Sequence, residues 1–409
     1  LLLLDDEAHD LFTKIEEGFD PFSLPPGEAR EMVLGLISEG IILSKVDYPK
    51  PQKLSPKSLC LIVSHACNMA CTYCSLSKAT IEGKLMSPET AIKAMKWLID
   101  NAPGTKVDVD FFGGEPTLAW KTVKAVVDFS KEYSKTKSKT VRFSMSTNAL
   151  GLTDEMLDYC DENYISLILS LDGPKAENDR CRVLKDGRPS FDTVLPNIMK
   201  VAQRRQRGWY VRGTYSKETI NFSDSVIALH KMGINNLAFE PVVSNDPKVA
   251  FSEKDIPAIR EEYEKLARYY VECKKTDMPI KFYHFEMDLE NGPCARKSAG
   301  GCGAGAEYLA VSPDEKIWPC HQFDTEEGFC LGTLDNPPTQ AIYDEYTIKN
   351  HLTEKRECPD CWASYLCSGG CIASNKLQEG DVLLPYKMGC LIQKIRLEAA
   401  LWVYSELRE

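Results

Sequence analysis

The spacing of apolar positions changes twice along the chain. Before residue 40 it is helical: Ala8, Leu11, Phe12 and Ile15 with Gly18 as a stop, then Met32, Val33, Leu36 and Ile37 ending at Gly40. "IILSKV" (41–46) predicts a short strand, and the Pro-rich 48–56 a linker. From 57 to about 243, short apolar runs alternate with amphipathic stretches. The runs are 59–63, 106–112, 141–146, 165–171, 210–215 and 237–243. "SPETAIKAMKWLID" is the clearest helix between them, with Ser87 as N-cap and Pro88 at the first helical position. Six strands alternating with helices predict an α/β fold, a parallel sheet with right-handed crossovers curled into a partial (β/α)6 barrel. A long amphipathic helix over 253–275 dominates a helical bridge, 244–289. A Gly- and Cys-rich segment of weak periodicity follows over 290–395, and a C-terminal helix over 396–409.

Composition narrows the function classes. At 409 residues, 43% hydrophobic and 27% charged, the chain has a globular balance and exceeds one core of usual size, so two or three domains are expected. It has no apolar run of roughly eighteen residues that would predict a membrane span. The opening "LLLL" meets Asp5, Asp6 and Glu7 at once, without the basic flank or cleavage site of a signal peptide. The first residue is not Met, so the sequence is expected to start inside a longer one. A net charge of −11 argues against nucleic acid as the main partner, and the basic run 131–142 reads as a helix end and solvated loop. Sixteen cysteines without a signal peptide point to a reducing, cytoplasmic setting, where clustered Cys serve metal or redox chemistry.

The unusual polar clusters of 57–243 sit at the ends of predicted strands. "SHACNMACTYC" (64–74) follows the first, "GGEP" (113–116) the second, "STN" (146–148) closes the third, and "LDGP" (171–174) follows the fourth. Clusters at equivalent strand ends line one mouth, where ligands bind in such folds. Cys67, Cys71 and Cys74 form C-x3-C-x2-C. Zinc with His65 nearby is one reading, but structural zinc prefers paired ligand halves. An iron–sulfur cube with one iron lacking a cysteine fits better, and that iron can chelate a substrate or cofactor. Tyr73 could stack a ring beside it.

The three cysteines, the aromatic Tyr73 before the last of them, and "GGEP" after the next strand resemble the radical S-adenosylmethionine superfamily. The resemblance implies a [4Fe–4S] cluster on Cys67, Cys71 and Cys74 whose fourth iron chelates S-adenosylmethionine, cleaved by one electron to a hydrogen-abstracting 5′-deoxyadenosyl radical. It also implies cofactor contacts. Gly113 and Gly114 allow close backbone approach, and Glu115 suits the cofactor's ammonium. Ser146 and Asn148, with Ser170 or Asp172, suit ribose hydroxyls or the methionine end, and Arg182 the carboxylate. The family's usual His-Asp is Asn178-Asp179 here, and "FEPV" (239–242) resembles its adenine contact.

"CPDCWASYLCSGGC" supplies Cys358, Cys361, Cys367 and Cys371, with Cys294, Cys302 and Cys320 upstream and Cys390 downstream. This resembles the SPASM domain of radical enzymes that modify peptides. Two auxiliary clusters are implied, three clusters in all. Cys302, Cys320 and Cys371 serve the first, which Cys294 either completes or leaves with an open iron. Cys358, Cys361, Cys367 and Cys390 serve the second. Where the family has a Gly five residues before the third upstream Cys, this chain has Glu315. Cys60, Cys160, Cys181, Cys273 and Cys330 lack partners and read as core or surface residues.

The segment 291–323 with "DCWASYLCSGGC" resembles thioether-forming maturases of the six-cysteines-in-forty-five and ranthipeptide type. The expected activity joins a peptide Cys sulfur to a carbon of another residue. The expected partners are a Cys-rich precursor peptide with its leader and a flavodoxin- or ferredoxin-like one-electron reductant, with no nucleic acid and no membrane, and the expected host is an anaerobe. Formylglycine formation on a sulfatase is the alternative oxidation, though the sequence names no base for it, and a metal-stabilised binding module is the non-enzymatic one. Residues 1–50 resemble the later part of a winged-helix peptide-recognition domain, with "LLLLDDEAHDLF" as its last strand entering a helix and the earlier leader-pairing strands missing. A simple helical cap is the other reading.

Overall fold

All six apolar runs become strands: β1 (Ser58–Ser64), β2 (Lys106–Gly113), β3 (Thr140–Thr147), β4 (Ser166–Ser170), β5 (Trp209–Tyr215) and β6 (Asn236–Pro241). The structure is a computed structural model that describes residues 6–39, 42, 47–74, 83–287 and 294–408. Consecutive strands pair in parallel. Four short strands extend the sheet: β7 (Lys281–Phe282), β8 (Tyr308–Val311), β9 (Lys316–Trp318) and β10 (Gly332–Thr333). The order is β10-β9-β8-β1-β2-β3-β4-β5-β6-β7. β8 pairs in parallel with β1, Cys60 opposite Ala310. The Cys-rich segment therefore continues the sheet of the six-stranded part. Runs of two to four residues carry too little periodicity to show this in sequence.

The chain divides into two units, Leu1–Tyr48 and Pro49–Glu409. The first holds helices α1 (Asp6–Glu16) and α2 (Glu28–Ser38), joined through a short turn that Asp20 caps. The strands expected at its "LLLL" and at 41–46 lie outside the described residues, apart from Ile42. In the second unit, α3 (Pro88–Asn101), α4 (Trp120–Thr136), α5 (Asp154–Glu162), α6 (Lys175–Cys181), α7 (Phe191–Arg204) and α8 (Phe222–Lys231) alternate with the strands. The Ser87 hydroxyl accepts from Thr90 N at 3.1 Å, so α3 starts where its cap and Pro88 place it. Beyond β6 come α9 (Ile256–Lys275), α10 (Ala295–Gly300), α11 (Gln340–Asn350), α12 (Ser364–Cys367), α13 (Ile372–Glu379) and α14 (Lys387–Glu406). The last helix starts upstream of 396, shortly after Pro385, because its apolar face already begins at Met388 and Ile392.

Alternation along the strands sorts the two faces of the sheet. Val107, Val109, Phe111, Met145, Leu167, Leu169 and Val211 are buried in the main core. The other set, Asp108, Asp110, Phe112, Ser144, Ser146, Ile168, Ser170, Arg212 and Thr214, is polar for the most part. Parallel sheets covered on both faces read as continuous apolar runs, so this face is built for something other than packing. It is concave. The His321 ring lies against Phe112 of β2, centroids 4.3 Å apart, and also interacts with Arg212 of β5. On a flat sheet those strands would stand about 14 Å apart.

Candidate functional site

The 64–74 loop leaves β1 and is strapped from both sides. Gly114 N donates to Ser64 O at 2.7 Å and Glu115 N to Ala66 O at 2.8 Å. On the far side Ala70 N donates to Val183 O at 2.8 Å and Thr72 N to Cys181 O at 3.0 Å. The approach explains the two glycines. A Cβ at 113 would fall 2.1 Å from Ser64 O, and one at 114 would fall 2.3 Å from Ala66 O. The close approach they permit is to the cysteine loop itself.

Cys67, Cys71 and Cys74 lie within electrostatic range of one another. The Cys67 sulfur accepts from Met69 N at 3.4 Å and from Asn148 Nδ2 at 3.8 Å. Burial pushes the Cys67 thiol up and the Cys71 thiol to about 11, against the pull of Arg182. Metal loading must therefore displace protons from both. His65 does not join them. Its Nε2 pairs with Asp324 Oδ2 at 2.7 Å, both buried, and its Nδ1 has no hydrogen-bond partner; among the described residues it does not converge with the three cysteines on a single-ion position.

Glu115 is buried and saturated. Its Oε1 accepts from Thr117 N (3.1 Å), Thr117 Oγ1 (2.7 Å) and Thr147 Oγ1 (2.7 Å), and its Oε2 from Asn148 N (2.8 Å). Burial raises its pKa, and these four donors oppose the rise. The carboxylate thus ties β2 to β3 and aims Asn148, whose Nδ2 donates to Asn68 Oδ1 at 2.8 Å. Ser146 and Ser170 stand half-buried on the concave face of β3 and β4.

Tyr73, Asp172 and Arg182 come from three loops and close into one group, Asp172 and Arg182 buried and Tyr73 half-buried. The Tyr73 hydroxyl donates to Asp172 Oδ2 and accepts from Arg182 Nη1 at 2.8 Å. Arg182 stands 3.8 Å from Asp172 Oδ1, which accepts from Thr214 N at 2.9 Å. Burial raises the pKa of both Tyr73 and Asp172, and Arg182 opposes both shifts. Tyr73 therefore also acts through its hydroxyl, which the sequence reading of it as a stacking ring omitted. The Asn178-Asp179 departure is absorbed locally: Asp179 Oδ1 accepts from Ser190 N and Phe191 N at the start of α7, and Asn178 Nδ2 donates to Ser190 Oγ. In "FEPV", Phe239 is buried. Burial pushes the Glu240 carboxyl up, but its bond to His284 at 3.2 Å and the charges of Arg396 and Arg212 outweigh this and hold it at about 2.

The C-terminal cysteines fall into two groups. Cys302, Cys320 and Cys371 interact with one another, and the first two sulfurs receive backbone N–H groups of Ala304, Gln322 and Phe323. Cys358, Cys361, Cys367 and Cys390 form the second, with Gly369 and Gly370 N–H groups aimed at Cys367. Cys390 reaches it from the first turn of α14. Cys294 stands apart and exposed, its thiol drawn down by the Lys297 and Arg296 backbone N–H groups and their side-chain charges. Thiols ringed by N–H donors suit iron–sulfur ligation. Among the described residues no three His, Cys, Asp or Glu side chains converge on a single-ion position. The ligands of a cube, being spread over four irons, need not do so. The turn at Glu315 survives the missing glycine. Glu315 adopts φ +65, and its carboxylate takes Lys93 Nζ at 2.6 Å and Thr90 Oγ1 at 3.1 Å.

Two site residues were not singled out by sequence reasoning. Asp110 sits on the concave face of β2, hydrogen-bonded to Ser144, with burial and the Asp108 charge pushing its carboxyl up to about 6. An acid alternating into a parallel strand was the available signal. Lys355 is buried among the C-terminal cysteines, and nothing in its local sequence marks it.

Comparison with known proteins bears on the family and the fold. The Radical SAM superfamily profile matches residues 61–220. The radical SAM cyclopropyl synthase TigE of Paramaledivibacter caminithermalis is 20% identical over 354 residues, 83% of this chain and 72% of that protein. The Cysteine-type anaerobic sulfatase-maturating enzyme of Clostridium novyi is 23% identical over 77% of this chain and 88% of its own. The solved structure of native anSMEcpe with bound AdoMet superimposes with a TM-score of 0.70 at 20% identity, covering 85% of this chain and 97% of that one. No helix among the described residues is long and apolar enough to cross a membrane. The chain thus carries a radical S-adenosylmethionine domain, which implies a [4Fe–4S] cluster and S-adenosylmethionine, and it is a homologue of the SPASM-type radical maturases.

Proposed function

We propose that this protein joins a Cys sulfur of a ribosomally made, Cys-rich peptide to a backbone or side-chain carbon as a thioether. The observation that carries the reading is the three-thiol group of Cys302, Cys320 and Cys371, whose members interact with one another and not with Cys294. Three protein ligands leave one position of an auxiliary cluster for a substrate thiolate, and metal ligation lowers a thiol's pKa. A peptide partner is in keeping with the anSMEcpe structure that holds AdoMet and the Cp18Cys peptide.

Bound at Cys67, Cys71 and Cys74, the radical cluster and S-adenosylmethionine supply a hydrogen-abstracting radical at the rim of the sheet. Arg182, held by Tyr73 and Asp172, presents its remaining N–H donors to the cofactor carboxylate. Glu115, already bonded to four donors, holds the Gly113–Gly114 backbone and Asn148 at the methionine end. Ser146 and Ser170 face the ribose. Cys358, Cys361, Cys367 and Cys390 hold a second auxiliary cluster, three in all. A flavodoxin- or ferredoxin-like donor supplies the electron, residues 1–50 meet the leader, and the setting is the cytoplasm of an anaerobe.

Formylglycine formation is the second reading, and Asp110 favours it. A carboxylate on the concave face with its pKa near neutrality can act as the base that the sequence did not reveal. Mass spectrometry of a co-expressed Cys-rich peptide separates the two. A product lighter by two hydrogens with one Cys fewer to alkylate supports the thioether. Loss of the Cys sulfur without a ring overturns it in favour of formylglycine.

A further inference from the structure

Lys355 is fully buried, 1% exposed. Its Nζ donates to Gly369 O at 2.8 Å, and among the described residues it forms no ion pair with a carboxylate. Its place is built. Residue 369 is a glycine at φ +77, and a Cβ there would lie 2.8 Å from Lys355 Cδ and 3.0 Å from its Nζ. The groups around the ammonium that would carry negative charge, as cluster ligands, are sulfurs from both cysteine sets: Cys302 and Cys371 of the three-thiol group, Cys358 and Cys367 of the four-thiol group. One carbonyl does not offset the desolvation of a buried ammonium. Net-negative, thiolate-ligated clusters on both sides would.

We propose that Lys355 is the shared counter-ion of the two auxiliary cluster sites, raising the potential at which they accept an electron. The inference rests on the reading that these cysteines hold iron–sulfur clusters. A fixed positive charge in a low-dielectric interior favours the state carrying one more electron, and cluster potentials respond to local charge. The step is a single electron entering a cluster, with no bond made or broken. In the experiment below the titrant supplies that electron.

Iron and sulfide analysis of the unsubstituted protein comes first. About twelve irons per chain upholds the cluster reading and about four sinks it, independently of Lys355. Anaerobic redox titration followed by electron paramagnetic resonance then compares Lys355→Gln, which keeps a hydrogen-bond donor without charge, with Lys355→Arg. The expected result is at least a tenfold weaker reduction of an auxiliary cluster in K355Q, about 59 mV more negative for one electron, and near-native behaviour in K355R. Loss of auxiliary iron in K355Q with retention in K355R also supports a charge requirement. Unchanged potentials in K355Q overturn the proposal. So does equal impairment of both variants, which would make the pocket's shape, not the charge, what matters.

Discussion

The two cysteine-bearing regions are built on opposite principles. Cys67, Cys71 and Cys74 hang from a parallel sheet whose strands bury Leu59, Leu61, Phe111 and Met145, and backbone hydrogen bonds fix their loop on both sides. The polar groups around them are already paired with one another. The 302–390 region has short helices, two-to-four-residue strands and a small core of Ala304, Ala306, Phe323, Tyr346 and Ile372. Within it a lysine is buried against thiols. The first region is shaped by its fold and then receives metal. On the proposed reading the second would rely on metal for much of its cohesion, as small domains with little apolar core do.

The sharpest test of that contrast is the triple variant Cys67→Ala, Cys71→Ala and Cys74→Ala. Cleavage of S-adenosylmethionine under strong reductant should fall to background while about eight of about twelve irons remain, by iron assay. Retained cleavage would sink the assignment of the radical site.

Anaerobic iron chelation followed by hydrogen exchange sharpens it further. Amides over 302–390 should lose most of their protection, while those of β2 to β5 keep theirs. Uniform loss would show that both regions lean on metal equally.

Within the fold-shaped region, Arg182→Met strands Asp172 and Tyr73 without their cation. Removing one partner of a buried charge pair costs about 3–5 kcal/mol, to be read in denaturant unfolding of the metal-free protein. A near-zero change would mean that the rim is not pre-organised.

The smallest expected effect is on Asp110. Its folded pKa, near 6, lies above the ordinary Asp value, so the unfolded chain gives up this proton first. Stability from this group is full below about pH 4 and falls as pH rises toward 6. Asp110→Asn should therefore be more stable than the parent by about 1 kcal/mol above pH 6, the full shift being discounted for solvent access, and the gain should vanish near pH 4. An advantage independent of pH would show that Asp110 is not held protonated by its surroundings.

Much of the radical domain was legible because its signals are local. The strand runs of 59–63 and 106–112 lie within the observed Ser58–Ser64 and Lys106–Gly113, since apolar alternation and backbone pairing are written in neighbouring residues. The Cys motif and "GGEP" were legible for the same reason. β8 to β10 were not, because two to four residues give no period, and β1, to which β8 joins them, is some 250 residues away in sequence. Glu315 looked like a broken turn, and only its contact with Lys93 and Thr90 explains how the turn is kept.

Sequence by itself determined where the strands fall, which cysteines cluster in spacing, and that four polar loops sit at strand ends. Each depends on the periodicity and spacing of residues close together in the chain. Tertiary structure alone decided that Tyr73, Asp172 and Arg182 form one group, that His65 pairs with Asp324, and that Lys355 is buried near both sets of thiols. Most of those are meetings of groups ten to hundreds of residues apart, and even Lys355, three residues before Cys358, meets Cys302 from 53 residues away. Register and packing set them, and no local pattern encodes which distant charge a side chain will meet.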